Sequence, residues 1–230
     1  MTRPRIVLVP GFMCDAELWR DQLPALREIG DCHVADITRA ASLAEMATGI
    51  LDTNPGPFHL AGFSLGGYVA QEILRQAPER VERLALIDTS MKADTARKRA
   101  QRDQLSQAAM APGQFAGMTR NLLRSYVAAA NLDDDVLAQR ILSMTRRLGR
   151  DVFIRQNAVL RGDGGDVLAA FTCPTLVLCG RDDAITPMEI HVEMAGLMAG
   201  SRLVVVDDCG HMAPMERPEA VTRELVRYFS

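Results

Sequence analysis

Two hydrophobic patterns alternate along this chain: short continuous apolar runs closed by turn residues, and longer stretches in which apolar positions recur with helical spacing. Arg5-Ile6-Val7-Leu8-Val9, ended by Pro10-Gly11, predicts a central parallel strand buried on both faces. Asp15 then stands in an N-cap position, and Leu18, Trp19, Leu23 and Leu26 follow a helical stripe that Gly30 stops. His33-Val34-Ala35-Asp36-Ile37 reads as a second strand. Ser42 caps a helix carrying Leu43, Met46, Ile50 and Leu51, which Asn54-Pro55-Gly56-Pro57 terminates. A third strand runs through His59-Leu60-Ala61 into a glycine-rich turn around Ser64, and a helix follows through Tyr68, Val69, Ile73 and Leu74 to Ala77-Pro78. Arg83-Leu84-Ala85-Leu86-Ile87-Asp88 is the next buried strand.

From Met91 to about Ala170 the strand pattern stops. Helical stripes replace it: Phe115, Met118, Leu122 and Tyr126; then Leu137, Ile141, Met144 and Leu148; then Phe153, Gln156, Asn157 and Leu160. No strand interleaves to draw these methionine-rich helices into a sheet, which favours a lid with an adaptable apolar underside over ordinary core. Strands resume with Thr175-Leu176-Val177-Leu178-Cys179-Gly180, a helix follows Pro187, Arg202–Asp207 is the last strand, and an amphipathic helix through Val221, Leu225, Val226 and Phe229 ends the chain. Alternating strands and helices predict a mostly parallel sheet, whose reactive groups gather beyond the carboxyl ends of the strands. Gly11, Ser64, Asp182-Asp183 and His211 all fall at such ends.

Ser64 occupies the tip of a strand-to-helix turn, Gly62-Phe63-Ser64-Leu65-Gly66-Gly67, where Gly62 and Gly66 have a steric reason to lack side chains. The N–H of Leu65, in the first turn of the new helix, faces any anion formed on an atom bonded to the serine oxygen. A serine hydroxyl is almost wholly protonated at neutral pH, so attack requires a base, and histidine suits that task. His33 and His59 belong to strands and His191 to a helix, which leaves His211 as the histidine on a loop after a strand. A carboxylate at another strand end can fix the imidazole tautomer, and Asp182 and Asp183 are adjacent candidates.

With these loops in view the chain resembles the α/β-hydrolase fold superfamily over essentially its whole length. The order serine, acid, histidine is that family's, and three segments resemble its motifs: Gly62–Gly67, Gly180-Arg181-Asp182-Asp183-Ala184-Ile185-Thr186-Pro187, and Gly210-His211 followed by Glu216-Arg217-Pro218-Glu219. The resemblance assigns the acid to Asp183 and places the oxyanion-hole donors at the N–H groups of Leu65 and Phe12, with Met13 the alternative to Phe12. Many relatives carry His-Gly after the first strand; Pro10-Gly11 stands here instead, so the support of that loop must differ. The implied architecture is α/β, with a mostly parallel central sheet, helices on both faces, and a helical lid inserted after the sixth strand. Residues 1–90 and 171–230 would form the core domain and 91–170 the lid. The implied reaction is cleavage of a carboxylic ester, lactone or thioester through an acyl-enzyme, with Met13, Met118, Tyr126 and Met144 as pocket candidates and Phe153 beside them. The same fold and triad serve carbon–carbon hydrolysis, acyl transfer and cofactor-free haloperoxidase or perhydrolase chemistry; a weakly active ligand receptor is the reading from another class.

Composition adjusts this picture little. The 230 residues suit one α/β domain, and a net charge of −3 gives no hint of a polyanionic partner, so nucleic acid is not expected. The basic cluster Arg97-Lys98-Arg99 with Arg102 reads as a solvated helix face. No apolar run approaches the roughly 18 residues a membrane span needs, and no signal-type segment precedes the first strand, so a cytoplasmic protein without membrane contact is expected; the resemblance implies a small-molecule acyl substrate. The five cysteines, odd in number and mostly in apolar runs, read as reduced thiols. Without an H-E-x-x-H pattern or paired Cys-x-x-Cys, neither a metal nor a cofactor is expected.

Overall fold

The computed structural model describes residues 3–113 and 115–230. Six strands, β1 (Arg5–Val9), β2 (Asp31–Val34), β3 (Phe58–Phe63), β4 (Val81–Ile87), β5 (Thr175–Gly180) and β6 (Arg202–Val206), form one sheet in the order β2-β1-β3-β4-β5-β6. Every neighbouring pair is parallel. The helices are α1 (Leu23–Ile29), α2 (Leu43–Thr53), α3 (Leu65–Gln76), α4 (Ala96–Met110), α5 (Arg120–Leu123), α6 (Asp135–Asn157), α7 (Gly165–Ala170), α8 (Met188–Leu197), α9 (Ala213–Glu216) and α10 (Pro218–Phe229).

Strand side chains alternate between two cores, as a period of two requires. Ile6, Leu8, Phe63, Ile87 and Leu178 pack with Leu26 of α1 and Leu225 and Phe229 of α10 on one face. Val7, Val9, Leu60, Leu86 and Val177 pack with Met46 and Ile50 of α2, Val69 and Ile73 of α3, and Met194 of α8 on the other. Both faces are therefore covered, the condition under which strands can be apolar throughout. The strand order reverses at β1, whose neighbours are β2 and β3, so the loops after β1 and β3 open side by side at the crevice such a reversal creates.

Several expected elements differ. The stripe after Asp15 divides into a short 3-10 turn, Ala16–Trp19, and α1, because Pro24 in the first turn of α1 cannot donate a hydrogen bond backward and would crowd the carbonyl four residues earlier. The second strand lies earlier than the expected 33–37, since its pairing with β1 begins at Arg5 opposite Asp31. The helical insertion follows the fourth strand, not the sixth: only four strand-forming runs precede it, and α4 to α7 all lie between β4 and β5. Within it the Phe115–Tyr126 stripe is helical only over α5; Gly117 has φ +67°, a left-handed conformation no helix accommodates. The next two stripes form the two arms of α6, helical on either side of Gly149, whose φ +79° and ψ 179° are non-helical.

Candidate active site

Ser64 stands between the last residue of β3 and the first of α3, with φ 51° and ψ −114°, a left-handed conformation unusual for a residue with a side chain. The turn is held from both sides. Ser64 N–H donates to Ile87 O at 3.0 Å, and Thr89 Oγ1 donates to Ser64 O at 2.7 Å. The arms of the turn nearly touch, since a Cβ on Gly62 would lie 2.4 Å from Gly66 O, and the turn presses on the end of β1, since a Cβ on Gly66 would lie 2.3 Å from Val9 O. Only glycine allows this approach.

Ser64 Oγ lies 2.9 Å from His211 Nε2, and His211 Nδ1 lies 2.8 Å from Asp183 Oδ2. The distances suit a hydroxyl donating to Nε2 and an Nδ1–H donating to the carboxylate. Asp183 also accepts the N–H of Ile185 at 2.8 Å, the N–H of Thr186 at 2.9 Å and the hydroxyl of Thr186 at 2.7 Å. Burial alone would raise its pKa; the imidazole of His211 and the donors of Thr186 outweigh it and hold the carboxyl below its ordinary range. Asp182, exposed, only docks its N–H on Cys209 O at 2.8 Å.

The loop that carries His211 is fastened by a buried carboxylate. Glu216 Oε1 accepts the N–H groups of Gly210 and Met212, both at 3.0 Å, and its Oε2 accepts the Ala128 N–H and Asn131 Nδ2, both at 2.8 Å. His211 N–H donates to Tyr126 O at 2.7 Å, so the histidine loop is joined to the helical insertion both by its own backbone and through Glu216. Asp88, with φ 42°, accepts Gly180 N–H at 2.9 Å and Ala213 N–H at 3.0 Å, tying the end of β5 to the start of α9. Burial, and then the nearby charge of Asp183, raise its pKa well above the usual carboxylate value. His191 is fully buried; its Nε2 accepts Thr89 N–H at 3.0 Å, and burial lowers its pKa to about 4.

On the opposite side of Ser64, the first loop is supported by α6. Phe12 packs edge-on against Phe153 with ring centroids 5.4 Å apart. Met13, at φ 54°, donates its N–H to Gln156 Oε1 at 2.8 Å. That amide is committed, which leaves the Phe12 N–H and the Leu65 N–H at the first position of α3 without an acceptor among the described residues. A cavity of about 680 Å³ opens over them, reaching Ser64 and His211 below and walled above by the insertion. Met13, Met118, Tyr126, Met144 and Phe153 all line it.

A family model described as the alpha/beta hydrolase family matches residues 6–224. The chain belongs to this family and is a hydrolase. A thermophilic esterase from Thermogutta terrifontis superposes with a TM-score of 0.86 at 28% identity, over 99% of this chain and 91% of that one. A 2-hydroxy-6-oxononadienedioate/2-hydroxy-6-oxononatrienedioate hydrolase of Burkholderia vietnamiensis is 27% identical over 86% of this chain and 71% of its own length. A pimeloyl-[acyl-carrier protein] methyl ester esterase of Vibrio campbellii is 25% identical over 94% and 91%.

Three supporting groups escaped the sequence reading of this hydrolase. Asp88 looked like the end of a strand, Glu216 like the entry to the last helix, and His191 like an ordinary helical residue. A charged or imidazole side chain inside an apolar context was the available signal, but the donors to Asp88 and His191, and two of the four to Glu216, are remote in sequence. Arg102 was misplaced as well. Arg97, Lys98 and Arg99 are exposed as a solvated face requires, whereas the Arg102 side chain is 15% exposed and pairs with Asp94.

Proposed function

We propose that this hydrolase cleaves a carboxylic ester, lactone or thioester through an acyl-enzyme on Ser64. The observation that carries the reading is the unbroken hydrogen-bonded chain from Ser64 Oγ through His211 to Asp183, opening into a cavity beside two backbone amides that have no acceptor among the described residues. His211 Nε2 takes the proton of Ser64 Oγ as the oxygen attacks the carbonyl. The oxyanion that forms is met by the N–H groups of Phe12 and Leu65, donors each worth about 3–4 kcal/mol of barrier in such sites. His211 returns the proton to the leaving alcohol or thiol, and water repeats the cycle on the acyl group while Asp183 stays ionised. The strained backbone at Ser64 supports the reading, since a conformation of that kind persists where the surrounding structure over-determines it.

In this proposal residues 91–170 act as the lid of a core formed by 1–90 and 171–230. Met118, Tyr126 and Met144 from the lid and Met13 from the core enclose an apolar acyl or alcohol part. The 27% identity to the 2-hydroxy-6-oxononadienedioate/2-hydroxy-6-oxononatrienedioate hydrolase lies between the 25% and 28% to the two esterases and favours carbon–carbon hydrolysis as the second reading. A panel of esters, lactones, thioesters and cleavable diketones, scored for release to water and for transfer to added acceptors, separates them. Ser64→Ala is expected to abolish turnover of short 4-nitrophenyl esters and labelling by a serine-directed organophosphonate. Undiminished turnover in that variant refutes the proposal.

A further inference from the structure

At the end of the cavity formed by α4 and the segment after α6, two guanidinium groups share one carboxylate. Arg102 Nη2 donates to Asp94 Oδ2, and Arg161 Nη1 lies 3.9 Å from the same oxygen. All three side chains are largely covered, at 15%, 14% and 8% exposure for Arg102, Arg161 and Asp94. The pairing is incomplete. Arg102 Nε and Nη1 are buried and have no acceptor among the described residues. Lys98, one turn earlier on α4, lines the same cavity, so among the described residues Lys98, Arg102 and Arg161 outnumber Asp94 there. The neighbouring polar groups do not redress this: Tyr68 OH is spent on Lys92 O at 2.9 Å, and Asn157 Nδ2 donates to Arg102 O at 2.6 Å and Ser106 Oγ at 2.7 Å.

A buried cationic nitrogen without an acceptor is costly, and the cost falls when an anionic oxygen reaches it. The rest of the cavity is mainly apolar, from Phe115 and Met118 to Met144 and Phe153, which strengthens any such charge interaction. Ser64 and Arg102 line one continuous cavity, so a single molecule can touch both. We propose that this end is an anion subsite and that the substrate carries a carboxylate on the part remote from the bond that is cleaved. The inference rests on the acyl-hydrolase reading only for which bond is cleaved; the subsite itself is a binding claim.

The test uses the whole protein. Mono-4-nitrophenyl esters of adipate, pimelate and suberate are compared with the same esters methyl-capped at the far carboxylate. A second arm places the carboxylate on the alcohol side, in butanoate esters of ω-hydroxy acids and their methyl-capped forms, followed by pH-stat. Wild type is expected to favour the charged substrate by about 10-fold or more in kcat/KM at the best length in one arm, consistent with one charge-assisted hydrogen bond. Arg102→Gln should lower that ratio about 10-fold, chiefly through KM, and Arg102→Lys should restore part of it. Lys98→Gln, at an exposed position, should lower the ratio a few-fold and so reports even where Arg102→Gln folds poorly. A ratio near one at every length in both arms, or a ratio the variants leave unchanged, overturns the subsite. Calorimetry of monomethyl and dimethyl suberate on Ser64→Ala needs no turnover. Tighter binding of the monoanion, lost in Ser64→Ala/Arg102→Gln, supports the subsite even if no ester is cleaved; equal or absent binding of both overturns it while leaving the hydrolytic reading intact.

Discussion

Replacing Glu216 with glutamine removes half of the acceptors that hold the His211 loop. The glutamate carboxylate accepts four donors, two on each oxygen, from Gly210, Met212, Ala128 and Asn131. An amide of the same shape keeps one oxygen and turns the other into an NH₂, so two donors meet a donor whichever way it is oriented. Glu216 is 6% exposed, so water cannot readily substitute. At about 1–3 kcal/mol for each buried donor left unpaired, the variant should lose about 2–6 kcal/mol, a large share of the 5–15 kcal/mol typical of a domain. With a urea slope of about 3 kcal/mol/M, the unfolding midpoint should fall by about 0.7–2 M. The residues flanking His211 lose their anchor at the same time, so kcat on an ester should fall at least about 10-fold even where the variant is fully folded. Urea unfolding followed by circular dichroism, with ester kinetics on the same preparation, checks both effects. An unchanged midpoint together with an unchanged kcat would show that Glu216 does not position the histidine loop.

His191→Gln tests a pH-dependent contribution to stability. Burial keeps the native imidazole neutral down to about pH 4, whereas its ordinary value is 6.5, so the unfolded chain binds the extra proton between those values. Stability from this group is full above about pH 6.5 and is lost as pH falls to about 4, by about 3 kcal/mol in wild type and not in the variant; parallel pH–stability curves for the two proteins contradict the assignment. Asp183→Asn and Asp182→Asn separate adjacent carboxylates: the first should lower kcat by orders of magnitude because the amide disturbs the His211 tautomer, and the second should leave it within about 2-fold, as ester kinetics will report. Gly62→Ala places a methyl 2.4 Å from Gly66 O and should cost several kcal/mol or block folding, read from soluble yield and the melting temperature.

How much of this was legible in the chain follows the range of the interactions. The turn at Ser64 could be read because its constraints are local: Gly62 and Gly66 lie within two residues of the serine they serve. Asp183 and His211 could be placed because each ends a strand whose apolar run is visible, although residue patterns alone left Asp182 open beside Asp183. The helical insertion was less legible. Its stripes located α6 but not the breaks around Gly117, since helical spacing of apolar residues does not reveal a backbone held at positive φ by tertiary contacts. Arg102 was read with its basic neighbours because charge patterning along a helix says nothing about which turn faces a cavity.

By itself, then, the sequence determined the alternation of strands and helices, the sharp turn at the serine, and the order in which serine, acid and histidine arrive, because propensity, sterics and periodicity act between near neighbours. Only the tertiary structure decided that the Met13 amide is taken by Gln156, leaving Phe12 and Leu65. It alone brought Glu216 under the histidine loop and left Arg102 short of an acceptor inside the cavity. The Met13–Gln156 contact, and those of Glu216 with Ala128 and Asn131, join segments tens of residues or more apart, and whether a buried polar group is satisfied depends on what the folded chain brings to it.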